Sequence, residues 1–278
     1  MVPDSRIGKQ IGEGYTAEVF LWPDEKIIKL FRSGLPKELC IGEFEATRKI
    51  HDCIGVCPKP FELIEVDGKS GIIYEKITGE SMLRRIMRKL WTFRSSGRKL
   101  ARLQLSFQKE VDFPLISVSA ALKRNINYVS EITNAEKEYL NQYIDSLPDG
   151  KCLCHFDFHP GNVLVQDDKY VVIDWMTASK GNPLADAART SVLLRLAETT
   201  IKPAFLNLLI AKIRMAIHNE YLKEYISAAN VRKEDIEAWE LPIMAARLLE
   251  WIPPKEKAKL LKMVQTNIQE ANIQEANI

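Results

Sequence analysis

The residues best suited to chemistry sit in one run, His155-Phe156-Asp157-Phe158-His159-Pro160-Gly161-Asn162, and Asp174 follows twelve positions after the asparagine. An Asp and an Asn five residues apart on one loop offer two different functions. The carboxylate can accept a proton from a hydroxyl, and the amide oxygen can hold a divalent cation. A second Asp at the end of a following strand adds another oxygen ligand. Phosphoryl transfer needs these parts: an oriented nucleophilic hydroxyl, and a magnesium ion held by oxygen ligands against nucleotide phosphates. The intervening VLVQDDKYVVID reads as two short strands turning at Asp167-Asp168, which would return Asp174 to the side of the loop. Taken singly, Asp and Asn are ordinary turn residues, so the assignment depends on what else the chain supplies.

Two further elements supply it. Ile11-Gly12-Glu13-Gly14-Tyr15-Thr16-Ala17-Glu18-Val19 reads as strand, glycine turn, strand. Gly12 and Gly14 would let backbone amides approach phosphates closely. A strand follows, not a helix, which argues against a dinucleotide-binding Rossmann unit, and no Gly-Lys-Ser/Thr follows to make a Walker loop. In KIIKLF, alternation places Lys29 and Ile27 on the face opposite Ile28 and Leu30. Lys29 then points beneath the flap, where it can meet phosphates. The next helix, ELCIGEFEATRKIHDCIG, carries Glu43 to steady it, with Glu45 as the competing partner. A snorkelling edge-strand lysine is the plain alternative for Lys29.

Rival chemistries are few. His155-x-Asp157-x-His159 has the residue types of a metal-dependent hydrolase, but that reading leaves Pro160-Gly161-Asn162, the flap and Lys29 unexplained. Cys152-Leu153-Cys154-His155 has the wrong spacing for a zinc site. A nucleotide-binding module without catalysis is the remaining alternative.

The elements that position these residues divide the chain. Strands and one helix occupy the first part, with FELIEV and GIIYEKI forming a hairpin around Asp67-Gly68. After Gly79 helices dominate. Met82, Leu83, Ile86, Met87, Leu90 and Trp91 fall at helical spacing as one face. Further helical patterns run through the 120s to 140s, the 190s to 210s and the 230s to 250s. The expectation is an α+β protein of two lobes: a small β-rich nucleotide-binding lobe at 1–76 and a helical catalytic and acceptor-binding lobe at 77–265. The tail at 266–278 repeats NIQEA, a period that suits neither helix nor heptad, and is expected to fray. The 278 residues suffice for such cores, and a net charge of +2 gives no reason to expect nucleic acid as partner. The start, MVPDSRIGKQIGEG, lacks an apolar signal core, no stretch is apolar enough to span a bilayer, and five sparse cysteines suit a reducing compartment. A cytoplasmic location is expected.

In this order the signals resemble the aminoglycoside-phosphotransferase/choline-kinase family, a branch of the protein-kinase-like fold, from about Gly12 to Glu250. LCHFDFHPGNVLV is similar to that family's His-Gly-Asp-x4-Asn loop, with Phe156 in place of the glycine. YVVIDWMTASKGNPLADAART is similar to its Ile-Asp-Trp segment and the following Gly-Asn-Pro-x-x-Asp. The resemblance implies ATP, with GTP possible, and Mg2+. Asp157 then orients or deprotonates the acceptor hydroxyl, Asn162 and Asp174 bind magnesium, and Lys29 contacts the phosphates, steadied by Glu43. Tyr74-Glu75-Lys76-Ile77 resembles the hinge, where the Glu75 carbonyl and Ile77 amide would bind adenine. Asp186 would anchor the loop or cap the next helix, and His155 would brace the loop.

Eleven residues separate Asp174 from Asp186, and no Ala-Pro-Glu follows, which favours a small-molecule hydroxyl acceptor over a protein. Glu234, Asp235, Glu237, Glu240 and Glu250 could line an acidic acceptor pocket, or could be solvated helix faces. Trp239, Arg247 and Glu250 are further acceptor-site candidates by resemblance. Finally, residues 81–109 carry nine Lys and Arg and no Asp or Glu, which reads as a surface for an anionic partner or as a solvated face.

Overall fold

Alternating and β-branched runs in the amino-terminal stretch form β1 (Gln10–Glu13), β2 (Ala17–Trp22) and β3 (Lys26–Phe31), followed by α1 (Lys37–Cys53). The hairpin β4 (Pro60–Val66) and β5 (Lys69–Glu75) turns at Asp67 and Gly68, whose φ angles of 51° and 74° suit a tight primed turn. Short β6 (Glu80–Ser81) leads into α2 (Met82–Arg88), α3 (Phe93–Phe107), α4 (Val118–Tyr128) and α5 (Asn134–Ser146). A β-rich interruption holds β7 (Cys152–Cys154), β8 (Val163–Gln166), β9 (Lys169–Val172) and β10 (Ser179–Gly181). The chain ends in α6 (Pro183–Leu196), α7 (Ala204–Ala229), α8 (Lys233–Glu237), α9 (Glu240–Arg247) and α10 (Pro254–Ala276).

This computed structural model describes residues 5–167, 169–197 and 204–276. Asp168 of the expected turn, residues 198–203 of the helical pattern and the last two residues of the repeat lie outside the described residues. The chain forms two compact units, Met1–Arg85 with Pro160–Ala178, and Ile86–His159 with Ser179–Ile278.

The first unit holds a five-stranded sheet in the order β1-β2-β3-β5-β4, and a three-stranded sheet in the order β6-β8-β9. Strand alternation splits β3 between two apolar clusters. Ile28 and Leu30 pack with Val66 on one face, while Phe31, with Ile27 beside it, joins Cys40 of α1 and Ile72 and Tyr74 of β5 on the other. Lys29 shares the α1 face by the same alternation.

The second unit is mainly helical. In α3, Gly97 allows close approach to α7, since a Cβ there would lie 2.6 Å from the Ile217 carbonyl oxygen. Thr133 and Glu136 form a reciprocal capping box that starts α5.

Two expectations fail here. The six apolar residues from Met82 to Trp91 do not share one face: Met82 and Ile86 are buried, whereas Leu83, Met87, Leu90 and Trp91 are exposed. Adjacent apolar pairs fit a helical period on either side, so spacing alone could not separate them. The repeat also does not fray at its start, because α10 continues through it to Ala276. Gln, Glu and Ala favour helix, but a five-residue step rotates each repeat onto a new face. Ile268 is accordingly buried and Ile273 exposed. Among the described residues no helix is long and apolar enough to cross a membrane.

Candidate active site

In the first unit, three charged side chains converge. Lys29 Nζ donates to both carboxylate oxygens of Glu43 and to Asp174 Oδ1, each at 2.8 Å. Glu43 is in register with Cys40, Thr47 and Ile50 on the buried face of α1, whereas Glu45 is exposed and pairs with Arg48. The helix register therefore selects Glu43. Tyr74, which sequence reasoning missed as a partner, donates its hydroxyl to Glu43 Oε1 at 3.1 Å. The signal was available: Tyr74 lies opposite Ile27 in the β3–β5 register, on the α1 face.

Burial opposes the charge on Lys29, but Glu43 and Asp174 outweigh it and hold the ammonium well above its ordinary pKa. Burial also pushes the Glu43 carboxyl up, partly offset by Lys29. Lys29 thus stays a fixed positive charge.

The β8–β9 hairpin brings Asn162 and Asp174 together. Val163 pairs with Val172, and the Ile173 N–H donates to the Asn162 carbonyl at 2.9 Å. Asp174 itself has φ 66°, a left-handed conformation that costs a non-glycine residue about 1–2 kcal/mol. Strain of this kind concentrates where a side chain must be aimed. The two side chains offer oxygen donors only, which fits Mg2+, a hard cation commonly held by one or two protein oxygens plus substrate phosphates.

The glycine flap is also in this unit. A Cβ added to Gly12 would come no closer than 3.4 Å to Val19, and one on Gly14 no closer than 3.7 Å to the Ala17 carbonyl oxygen. Neither glycine has a positive φ. The fold itself therefore tolerates a side chain at both positions. At the expected hinge, Glu75 ends β5 and its N–H donates to the Lys59 carbonyl, while the Ile77 carbonyl accepts from Gly79.

In the second unit, the loop carrying Asp157 is held by its backbone. Phe156 has φ 63°, which explains why a glycine suits this position and what the phenylalanine costs. Its N–H donates to Asp186 Oδ1 at 2.7 Å, and its carbonyl accepts from Arg189 Nε at 3.1 Å. Asp186 is fully buried, and its other oxygen accepts from Gln104 at 2.8 Å and Gln108 at 3.2 Å. Tyr221 and Tyr225 donate to those two amides in turn. Asp186 is thus the loop anchor and not the helix cap, a role taken by Asn182. Arg189, Gln104 and Gln108 were missed in the sequence. Their signals are i+3 from Asp186 on α6 and an i,i+4 pair formed by Gln104 in the last turn of α3 and its C-cap Gln108.

His155 is buried, packs against Phe107 and Phe158, and accepts the Asp157 N–H through Nδ1 at 3.2 Å. It braces the loop. His159 Nε2 lies 3.8 Å from Asp157 Oδ2, whose side chain is 34% exposed. With His155 turned into the core, the hydrolase ligand set does not assemble. Among the described residues no group of three or more His, Cys, Asp or Glu is placed to hold a metal ion.

The acceptor candidates separate. Trp239 and Arg247 are buried. Arg247 pairs with Glu256 at 2.7 Å and with Glu250, and Glu250 reaches Arg189 at 2.6 Å, so this network supports the loop anchor. Asp235 pairs with Arg232 and Glu237 with Lys233 at the surface. Glu237 and Glu240 border a cavity of about 410 Å3 with Tyr139, Tyr143 and Arg195. The acidic residues do not form one pocket.

Residues 7–216 match the family model described as "Phosphotransferase enzyme family". No curated protein sequence matches the chain. Among solved structures, a choline/ethanolamine kinase family protein from Mesorhizobium loti is similar at 16% identity and TM-score 0.57, covering 96% of this chain and 82% of that one. APH(3'')-Id, an aminoglycoside phosphotransferase from Streptomyces rimosus, is similar at 14% identity and TM-score 0.57, covering 86% and 92%. A streptomycin–ATP–APH(2'')-IIa ternary complex is similar at 14% identity and TM-score 0.55, covering 94% and 92%. At these identities the likeness shows the fold: α+β and protein-kinase-like, with a β-sheet amino-terminal region and a helical carboxy-terminal part.

Proposed function

Because the chain belongs to the phosphotransferase enzyme family, we propose that it transfers the γ-phosphate of ATP to a hydroxyl of a small molecule. The observation that carries this reading is the fixed charge of Lys29, held at 2.8 Å by both Glu43 and Asp174. A buried lysine locked in this way is suited to phosphates, and few other tasks need it. Asp157 accepts or orients the acceptor proton, and the clamp on Phe156 fixes where its carboxylate points. Asn162 and Asp174 hold Mg2+, which when bound neutralises charge on the phosphates. Gly12 and Gly14 leave room for the phosphates, and the Glu75 carbonyl with the Ile77 amide takes the adenine edge. Nucleotide binding is assigned to residues 1–76 and acceptor binding to 77–265, in a cytoplasmic protein. The ATP named with APH(2'')-IIa is the ground for preferring ATP, with GTP as the alternative.

Calorimetry with ATP, GTP and ADP, each with and without Mg2+, tests the nucleotide. A screen of hydroxyl acceptors (aminoglycosides, choline, sugars, nucleosides) coupled to ADP release tests the reaction. Absence of binding by either triphosphate with metal present overturns the kinase reading. Binding without ADP release on any acceptor favours a module that binds nucleotide and does not turn it over.

A further inference from the structure

Tyr74 is given no task in the reading above, yet its hydroxyl sits on the carboxylate that holds Lys29. The residue lies near the end of β5, just before Glu75, with Ile27 of β3 and Pro60 of β4 as its cross-strand neighbours. Its side chain joins the apolar cluster of Phe31, Cys40 and Ile72 and is buried. From there the O–H donates to Glu43 Oε1 at 3.1 Å. Burial, with the Glu43 carboxylate beside it, holds that hydroxyl above its ordinary pKa, so it stays a donor.

A count of donors and acceptors gives the second donor on Glu43 a purpose. An ammonium has three N–H groups. Those of Lys29 are all committed, one each to Glu43 Oε1, Glu43 Oε2 and Asp174 Oδ1, each at 2.8 Å. Linked phosphates present oxygens side by side, and a lysine beneath a nucleotide's phosphate chain meets two of them. Two N–H groups must then change partner. Asp174 can release the first, because its side chain is 38% exposed and water can replace Lys29 there. The second has to come from Glu43. Its side chain is 2% exposed, so an oxygen left bare cannot turn to water. The two Glu43 oxygens are not equivalent. Among the described residues Oε2 accepts from Lys29 alone, whereas Oε1 accepts from Lys29 and from Tyr74. Only Oε1 keeps a partner when Lys29 leaves it.

We propose that Tyr74 is a positioning residue of the nucleotide site: its hydroxyl takes over Glu43 Oε1 when Lys29 turns to the phosphates of a nucleoside di- or triphosphate. The inference rests on the nucleotide reading above and adds to it a requirement for two or more linked phosphates. A small turn about the Cε–Nζ bond re-aims the N–H groups, while the nitrogen stays where the carboxylates hold it. No covalent bond changes and no proton is transferred. AMP, with one phosphate, needs only the N–H that Asp174 releases.

The test uses Tyr74→Phe, which removes one oxygen and keeps the ring in its cluster. Calorimetry with adenosine, AMP, ADP and ATP, each with Mg2+, is run on the full chain and the variant, beside thermal melts without ligand. In the unliganded protein Lys29 still serves both Glu43 oxygens, so the melting temperature should stay within about 2 °C of the parent. Affinity for adenosine and AMP should be unchanged. Affinity for ADP and ATP should fall about ten-fold, the effect of one buried acceptor left bare. A role in packing alone predicts the reverse, a lower melting temperature with all four ligands affected alike. That pattern, or unchanged affinity for ADP and ATP, overturns the proposal and leaves the nucleotide reading intact. If the parent protein binds none of the four, the nucleotide reading falls and takes the proposal with it.

Discussion

The two units hold their candidate residues in opposite ways. In the first, charge holds charge: Lys29 sits between two carboxylates, and the side chains themselves are the framework. In the second, the framework grips the backbone on either side of Phe156, through Asp186 and Arg189, and leaves the Asp157 side chain partly exposed. The difference follows from the tasks proposed for them. A residue that meets phosphates must be charged before the ligand arrives and must not move. A residue that meets a hydroxyl must present an oxygen to whatever enters, so the rigidity has to come from somewhere other than its own carboxylate.

The largest effect should come from Asp157→Asn. Loss of a general base lowers turnover by about a hundred- to ten-thousand-fold, while ATP affinity stays close to that of the parent protein. Asp174→Asn should lower both turnover and Mg2+-dependent ATP affinity. Nucleotide titrations with and without metal, beside steady-state rates, distinguish the two; a reversed pattern would exchange the roles given to the two loops.

Next in size is stability. Lys29→Met leaves Glu43 buried beside Asp174 without its cation, at a cost of about 3 kcal/mol, the lower end for a broken buried pair because Glu43 can take up a proton. Adding Glu43→Gln should restore much of that stability without restoring turnover. Urea unfolding of the single and double variants decides this, and an additive result would show that the pair is not coupled.

The counterpart in the second unit is Asp186→Ala, which strands the Phe156 N–H and takes one acceptor from each of Gln104 and Gln108, for about 2 kcal/mol. Here turnover should fall with ATP affinity unchanged. Should ATP affinity fall as much as turnover, the contrast between the units fails.

Much of this was legible in the sequence. Period-two alternation in KIIKLF gave the face of Lys29, and the length of VLVQDDKYVVID gave the return of Asp174 toward Asn162. Helix register was harder. Glu43 and Glu45 are two residues apart, and only the buried set Cys40, Thr47 and Ile50 separates them. The clamp on Phe156 was the least legible part. Gln104, Gln108 and Arg189 lie far from the loop in sequence; the two glutamines act through Asp186 and Arg189 acts on a backbone carbonyl, so no local motif at the loop marks them.

Smaller effects sharpen the same contrast. Gly14→Ala should leave stability within about 0.5 kcal/mol, because the fold has room for the methyl group, but should weaken ATP binding several-fold. A stability loss without an affinity loss would return the flap to an ordinary turn. In the second unit, burial holds His218 below its ordinary pKa of 6.5. The unfolded chain therefore takes up a proton first as pH falls, and the stability present above pH 6.5 is lost progressively below it. His218→Gln should flatten that part of a melting-temperature profile across pH 5 to 7.

The first unit is assembled from two stretches of chain, Met1–Arg85 and Pro160–Ala178. Met176 from the second stretch packs against the cluster of Phe31, Cys40, Ile72 and Tyr74, and Asp174 supplies half of the carboxylate pair around Lys29. On the ribosome, then, the amino-terminal sheet emerges without its last pieces. At about 5–20 residues per second, several seconds pass before Asp174 and Met176 follow. Through that interval Lys29 has only Glu43, and one side of an apolar cluster is open to water or to a chaperone. A nascent chain stalled between β6 and β8 would carry every residue of the glycine flap and yet lack the means to close the core behind it.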